Sequence, residues 1–205
     1  MSTLPAGITV ARGFARAERP QVAALYWEAF GRKLGRALGP DDLALDFLES
    51  ALDPQHAICA RDAEGELLGV AGFKTPAGGL VAGGMRAMSR VYGRAGALWR
   101  MALLGALGGD IDNRRFLVDG LFVAPHARGQ GIGSALIEAL AAEGLARGYP
   151  ELRLEVIDEN TRARALYERH GFAAIGRHRT GILRWVFGFR AAIVMVRPLH
   201  REGER

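Results

Sequence analysis

Residues 116–134 read Phe-Leu-Val-Asp-Gly-Leu-Phe-Val-Ala-Pro-His-Ala-Arg-Gly-Gln-Gly-Ile-Gly-Ser. The apolar run 116–123 predicts a strand, and past the glycines Ile132, Leu136, Ile137 and Leu140 fall on one stripe of a helix. A strand passing through a basic, glycine-rich turn into a helix aims several backbone N–H groups at one point. The positive end of the helix dipole lies there too. The stretch therefore predicts a site for a phosphate-bearing ligand. Gly129, Gly131 and Gly133 alternate, which bares the backbone at three positions for the approach of a pyrophosphate. Ser134 adds a hydroxyl donor and Arg128 a charge. The turn lacks the Gly-Lys-Ser/Thr of a nucleotide P-loop and the third glycine of a dinucleotide turn. A glycine-eased corner with no ligand is the plain alternative.

Outward from this stretch, a first strand is expected at 8–14 and a helix from Arg19-Pro20 to about Leu38, closed by Gly39-Pro40. Asp41 or Asp42 caps a second helix to about Leu52, and 56–62 and 67–74 form a hairpin across the turn Asp62–Gly65. Downstream lie a helix over about 131–147, a strand at 152–157, a helix at 161–169 and strands near 172–178 and 187–197. Strand–helix–strand alternation implies a right-handed crossover and a partly parallel sheet, hence a mixed α/β fold. The segment 76–109 holds no Asp or Glu but many glycines. Its four arginines, Arg86, Arg90, Arg94 and Arg100, make a membrane span costly. It reads as a helical insertion with Arg86, Arg90 and Arg94 on one face and Met88, Val91, Leu98 and Trp99 toward protein. A packed surface helix, a lid over a binding site and a dimer contact are all consistent with it.

The composition, 49% hydrophobic and 24% charged, is that of a globular chain. The net charge of +5 rests on arginine, since Lys33 and Lys74 are the only lysines. Without a tight basic run interleaved with aromatics, nucleic-acid binding is disfavoured. Cys59, the sole cysteine, sits in the apolar run Ala57–Ala60 and reads as a buried filler. With no disulfide possible within the chain and no leader pattern, the cytoplasm is the expected compartment. The five histidines show no metal-ligand spacing. His170 suits the C-terminal end of its helix, and His126 sits in the loop entering the glycine turn.

The spacing Val123-x-x-x-x-Arg128-x-x-Gly131-x-Gly133 on a strand–turn–helix resembles the signature of the GNAT superfamily of acyl-CoA-dependent N-acyltransferases. A second block, Asn160-Thr-Arg-Ala163-Arg-Ala-Leu166-Tyr167-Glu-Arg-His-Gly171-Phe172, is similar to that family's Asn-x-x-Ala-x-x-Leu-Tyr-x-x-x-Gly-Phe segment. The resemblance is close over 116–178 and holds for the first 75 residues by element order alone. It implies one domain over 1–205, with the insertion at 76–109, built on a mixed sheet whose central strands splay apart. It also implies acetyl-CoA as co-substrate, no metal, and direct transfer of the acetyl group to a primary amine of a small molecule or peptide.

The same resemblance assigns roles. Arg128, Gly129, Gln130, Gly131, Ile132, Gly133 and Ser134 hold the pyrophosphate. Leu121, Phe122 and Val123 pair with the pantetheine arm like an added strand. The splay is expected beyond residue 120, with Gly120 as a bulge and an N–H near Phe122 as oxyanion donor. Asn160, an apt cap for the helix from Thr161, also touches the pantetheine. Tyr167 is the general acid that returns a proton to the thiolate. Asp119 is the candidate base: a mid-strand carboxylate is costly unless used or paired, and it shares parity with Leu117, Leu121 and Val123. An ion pair with an arginine accounts for it equally well, and Glu155 or an ordered water are the other bases. A non-catalytic acyl-CoA sensor or interaction module on the same fold is the alternative function.

Overall fold

The computed structural model describes residues 7–105, 114–179, 181 and 188–200. Residues 106–109 of the expected insertion and residue 187 of the expected last strand lie outside them. The described strands are β1 (Thr9–Arg12), β2 (Ala57–Arg61), β3 (Leu67–Lys74), β4 (Phe116–Val123), β5 (Glu151–Ile157), β6 (Ala173–Arg179) and β7 (Ala191–Pro198). The helices are α1 (Arg19–Leu38), α2 (Asp41–Ala51), α3 (Met85–Gly105), α4 (Ile132–Ala146) and α5 (Thr161–Arg169). α1 carries Pro20 in its first turn, where a missing N–H costs nothing. α2 differs in one detail from expectation: Pro40 is its N-cap residue, and Asp41 and Asp42 lie in the first turn against the positive dipole end.

One seven-stranded sheet runs in the order β1-β2-β3-β4-β5-β7-β6. All neighbours are antiparallel except β4 and β5, which are parallel and joined through α4. Two apolar layers cover the two faces. On one, α4 and α5 bury Ile132, Leu136, Ile137, Leu140 and Tyr167 against Phe116, Leu152 and Leu154. On the other, α1, α2 and α3 bury Val22, Leu34, Phe47, Leu48 and Met88 against Val70 and Phe122. The alternation Leu152, Leu154, Val156 toward α4 leaves Arg153, Glu155 and Ile157 on the α1 face of β5.

The insertion is a helix, as expected, but not a continuous one. Gly93 takes φ 69 and ψ 169 inside α3 and breaks its phase. Met88 is buried and Val91 packs beneath the first half, whereas in the second half Ala97 turns inward. Leu98 and Trp99, expected toward protein, are instead 67% and 47% exposed. Arg86, Arg90 and Arg94 are exposed, and Arg100 stacks over Tyr92 at 4.0 Å and donates to the Gly39 carbonyl at 3.1 Å. No helix among the described residues is long and apolar enough to cross a membrane.

Candidate active site

β4 sits at the centre of the sheet and pairs with its two neighbours to different extents. Toward β5 the ladder holds only Phe116 with Leu152 and Leu117 with Arg153. The two strands therefore part after Leu117, three residues earlier than the sequence suggests. Toward β3 the pairing continues to Val123, but the register steps from Phe73–Val118 to Gly72–Gly120. The extra residue of this bulge is Asp119, not Gly120. The bulge also overturns the expected strand parity. Leu121 and Val123 pack toward α4, whereas Gly120 meets the Phe30 ring of α1 and Phe122 packs edge-on against Tyr26 and Phe30.

Asp119 consequently faces the α1 side, with its side chain 15% exposed and both oxygens engaged. Oδ1 pairs with Lys74 Nζ at 2.9 Å, and Oδ2 accepts from the Leu80 amide at 3.2 Å. The close approach of Leu80 depends on glycine: a Cβ on Gly72 would lie 2.6 Å from its side chain. The partner is thus one of the two lysines, carried on β3, and not an arginine. Glu155 of β5 lies on the same face and pairs with Arg153 at 3.1 Å.

The edge of β4 that faces the gap is set by the ladder itself. The Ala124 amide donates to the Leu68 carbonyl at 2.8 Å. With hydrogen-bonded pairs alternating along an antiparallel ladder, Phe122 also directs its amide to β3. Leu121 and Val123 direct theirs to the gap. The free donors are accordingly those flanking Phe122, and not its own N–H.

At the end of β4 the chain turns through a short 3-10 turn, Pro125–Ala127, into the glycine run. Gly129 and Gly131 have φ of 82 and 83, the left-handed region that L side chains avoid, and a Cβ on Gly129 would meet only open space. Gly133 has a different reason: a Cβ there would lie 3.2 Å from Leu166 of α5. Two of the glycines shape the turn, and the third lets α5 close on α4. α4 begins at the Gly131 cap with no side chain bonded to its first amides, and its earliest bond to a preceding carbonyl is Ala135 to Gly131 at 3.0 Å. Among the described residues, the amides of 129–134 find no acceptor. A bent run of N–H groups with nothing to bond is an anion site by construction.

The side chains around the turn are held in place. Arg128 donates to the Val123 carbonyl at 3.0 Å and to Glu28 of α1 at 2.9 Å. Gln130 donates to the His126 carbonyl at 2.9 Å. Ser134 Oγ lies 2.9 Å from His170 Nε2, whose Nδ1 is 2.8 Å from Glu138, and Glu138 takes a two-pronged pair from Arg197. Burial pushes the Glu138 carboxyl up, but the hydrogen bonds from Arg197 and His170 pull it down further, below the ordinary value. This relay from α4 through the end of α5 to β7 was not legible in the sequence; the only signal was the histidine at a helix end.

Asn160 caps α5 as its residue type predicts, its Oδ1 accepting from the Ala163 amide at 3.1 Å, which leaves its NH₂ outward. Tyr167 is 8% exposed and packs on Phe172 at 5.7 Å. Its hydroxyl has no hydrogen-bond partner among the described residues, and burial pushes its pKa up to about 12. Burial likewise raises the Cys59 thiol to about 12, as befits a filler and not a nucleophile. No group of three or more His, Cys, Asp or Glu among the described residues is placed to hold a metal.

Comparison with known proteins agrees with this geometry. Over 58 residues the chain is 50% identical to a mycothiol acetyltransferase of Jonesia denitrificans, covering 28% of this chain and 18% of that protein. It is 43% identical to a thialysine N-epsilon-acetyltransferase of Bos taurus over 58 residues, 28% of this chain and 34% of that one. The match thus spans about a third of one of these curated relatives and under a fifth of the other. An N-acetyltransferase from Staphylococcus aureus shares the fold with a TM-score of 0.65 over 92% of this chain and 99% of that chain, at 17% identity. A profile described as the acetyltransferase (GNAT) family matches residues 19–172, which contain the parted strands, the glycine turn and both sequence blocks. The chain belongs to the acetyltransferase (GNAT) family.

Proposed function

We propose that this protein is an acetyl-CoA-dependent N-acetyltransferase that passes an acetyl group directly to a primary amine of a small molecule or peptide. The observation that carries this reading is the run of acceptor-free amides at 129–134, placed at the mouth of a gap between two parted parallel strands. The donor set fits a diphosphate: backbone N–H groups, the Ser134 hydroxyl and the guanidinium of Arg128. Arg128 is tied to Glu28 in a half-exposed pair, worth at most about 1 kcal/mol, so an arriving phosphate displaces it cheaply. Val123, the nearer of the two to the phosphate turn, offers its gap-side amide to a carbonyl of the pantetheine arm, as an added strand would be held. Asn160 donates its NH₂ to the same arm.

The thioester supplies an acyl carbon open to attack and a thiolate that must be protonated as it leaves. Tyr167 holds its proton at neutral pH and delivers it to the sulfur. The gap-side amide of Leu121, farther from the phosphate turn, receives the negative charge that develops on the acyl oxygen. Asp119, with Lys74 beside it, takes the proton of the attacking amine; Glu155 across the gap is the second candidate. The test is calorimetry with acetyl-CoA and free CoA, followed by thiol release against a panel of amines. Heat with both ligands and amine-dependent thiol release are expected. Absence of heat with either ligand on folded protein overturns the reading.

A further inference from the structure

Lys33 lies where the sequence gave no reason to look. It is on α1, on the sheet face where β4 and β5 have parted. Its ammonium sits 4.9 Å from the centre of the Phe189 ring, just before β7. Glu155 of β5, Asp119 of β4 and Lys74 of β3 all act on it electrostatically. Charges carried on three strands distant in sequence thus bear on one amine, which the Phe189 ring faces. Phe30 and Tyr26, one and two turns earlier on α1, wall the same face with Phe122 of β4.

What distinguishes Lys33 is its lack of an oxygen partner. Lys74 is satisfied by Asp119, and Glu155 by Arg153. Among the described residues no carboxylate or carbonyl accepts from Lys33, although it is part-buried. Burial is the larger influence and lowers its pKa; Glu155 and Asp119 oppose that shift and Lys74 adds to it. A ring face offsets part of the cost of a partly desolvated ammonium, but among the described residues its N–H donors find no protein oxygen. The arginines of α3 do not supply this function. Arg86, Arg90 and Arg94 point to solvent, and Arg100 is stacked on Tyr92 and Trp99.

We propose that Lys33 is the anion anchor of the acceptor site, and that the acceptor is an amine which also bears a carboxylate. The carboxylate completes the donors of Lys33 against Phe189, and the amine points toward Asp119 and Glu155 at the gap. An amino acid or a similar zwitterion has this pair of charges. The inference rests on the acetyltransferase reading above, and it narrows the substrate class of that same site.

The test is a matched acceptor panel: free L-amino acids, their carboxamides and the corresponding decarboxylated amines, each assayed for thiol release from acetyl-CoA. At least one free acid is expected to exceed its amide in kcat/KM by about ten- to a hundred-fold, the worth of a hydrogen bond to a charged group. Lys33→Met, which keeps the length of the stem, is expected to raise KM for that acid and collapse the acid-to-amide ratio; Lys33→Arg is expected to retain most of it. Equal use of acid and amide, a ratio that survives in Lys33→Met, or no free acid turned over at all overturns the inference. Acetyl-CoA calorimetry on each protein separates the two levels. Heat without acid preference sinks only the anchor, whereas no heat in the unaltered protein sinks the enzyme. Thermal melts and the acetyl-CoA heat of Lys33→Met also show that the variant is folded. If it is not, Lys33→Arg and the acid-to-amide ratio of the unaltered protein decide.

Discussion

Tyr167 and Asp119 show how a residue can be legible in type and misjudged in setting. The sequence placed Tyr167 on the helix that Asn160 caps and, by family resemblance, gave it the role of general acid. The fold puts it in the α4–α5 core, and that burial pushes its pKa up to about 12. Tyr167→Phe keeps the ring and its packing on Phe172. It is therefore expected to lower kcat by about 10²- to 10⁴-fold with acetyl-CoA binding intact, as steady-state kinetics beside calorimetry would show. The raised pKa also sets a sign for stability: the contribution of the buried neutral phenol is full below about 10 and drains as pH rises through about 12. Asp119→Asn is expected to cost about 10²-fold or more in kcat at pH 7. Full activity there moves the base to Glu155 or to a water.

At the scale of the element, the glycine turn makes the sharpest claim. Gly131 and Gly148 have nearly the same positive φ, 83 and 80, and a Cβ on Gly148 would strike no neighbour. Gly131 opens α4 among the unpaired amides, while Gly148 follows the far end of that helix. Alanine at either position forces an L side chain into the left-handed region, costing about 1–2 kcal/mol of stability. Only Gly131→Ala is expected to weaken CoA binding as well, by about ten-fold or more, because only there do amides lose their aim. Equal CoA affinity of the two variants in calorimetry would remove the turn from the binding site. α3 teaches the converse lesson. Its helical period was legible, but one glycine at 93 resets the phase and sends Leu98 and Trp99 outward.

At the scale of the molecule, distant elements are pinned by carboxylates that the fold keeps ionised. Glu18, just before α1, pairs with Arg61 of β2 at 2.7 Å, and that hydrogen bond leads the lowering of its pKa below 4.5. Glu138 joins α4 to β7 and is lowered as well. A lowered folded pKa means that the unfolded chain binds the proton first. Stability from both groups is therefore complete above about 4.5 and is lost as pH falls through the folded values. Thermal melts between pH 7 and 3 should show a falling Tm, and Glu18→Gln should flatten part of that fall while lowering Tm at pH 7.

Although the first strand is shorter than expected and the last begins later, at Ala191, the order of the helices and strands, the strand–turn–helix of 116–146, the Asn160 cap and the family were legible in the sequence alone. Each depends on residues within a few positions of one another, or on spacing along a single element. Tertiary structure decided where β4 and β5 part, which residue bulges, what pairs with Asp119, and that Lys33 faces the gap. Those outcomes depend on register between strands tens of residues apart and on the packing of α1 across them. A single extra residue in a ladder reverses which side chains share a face, and local periodicity carries no record of it.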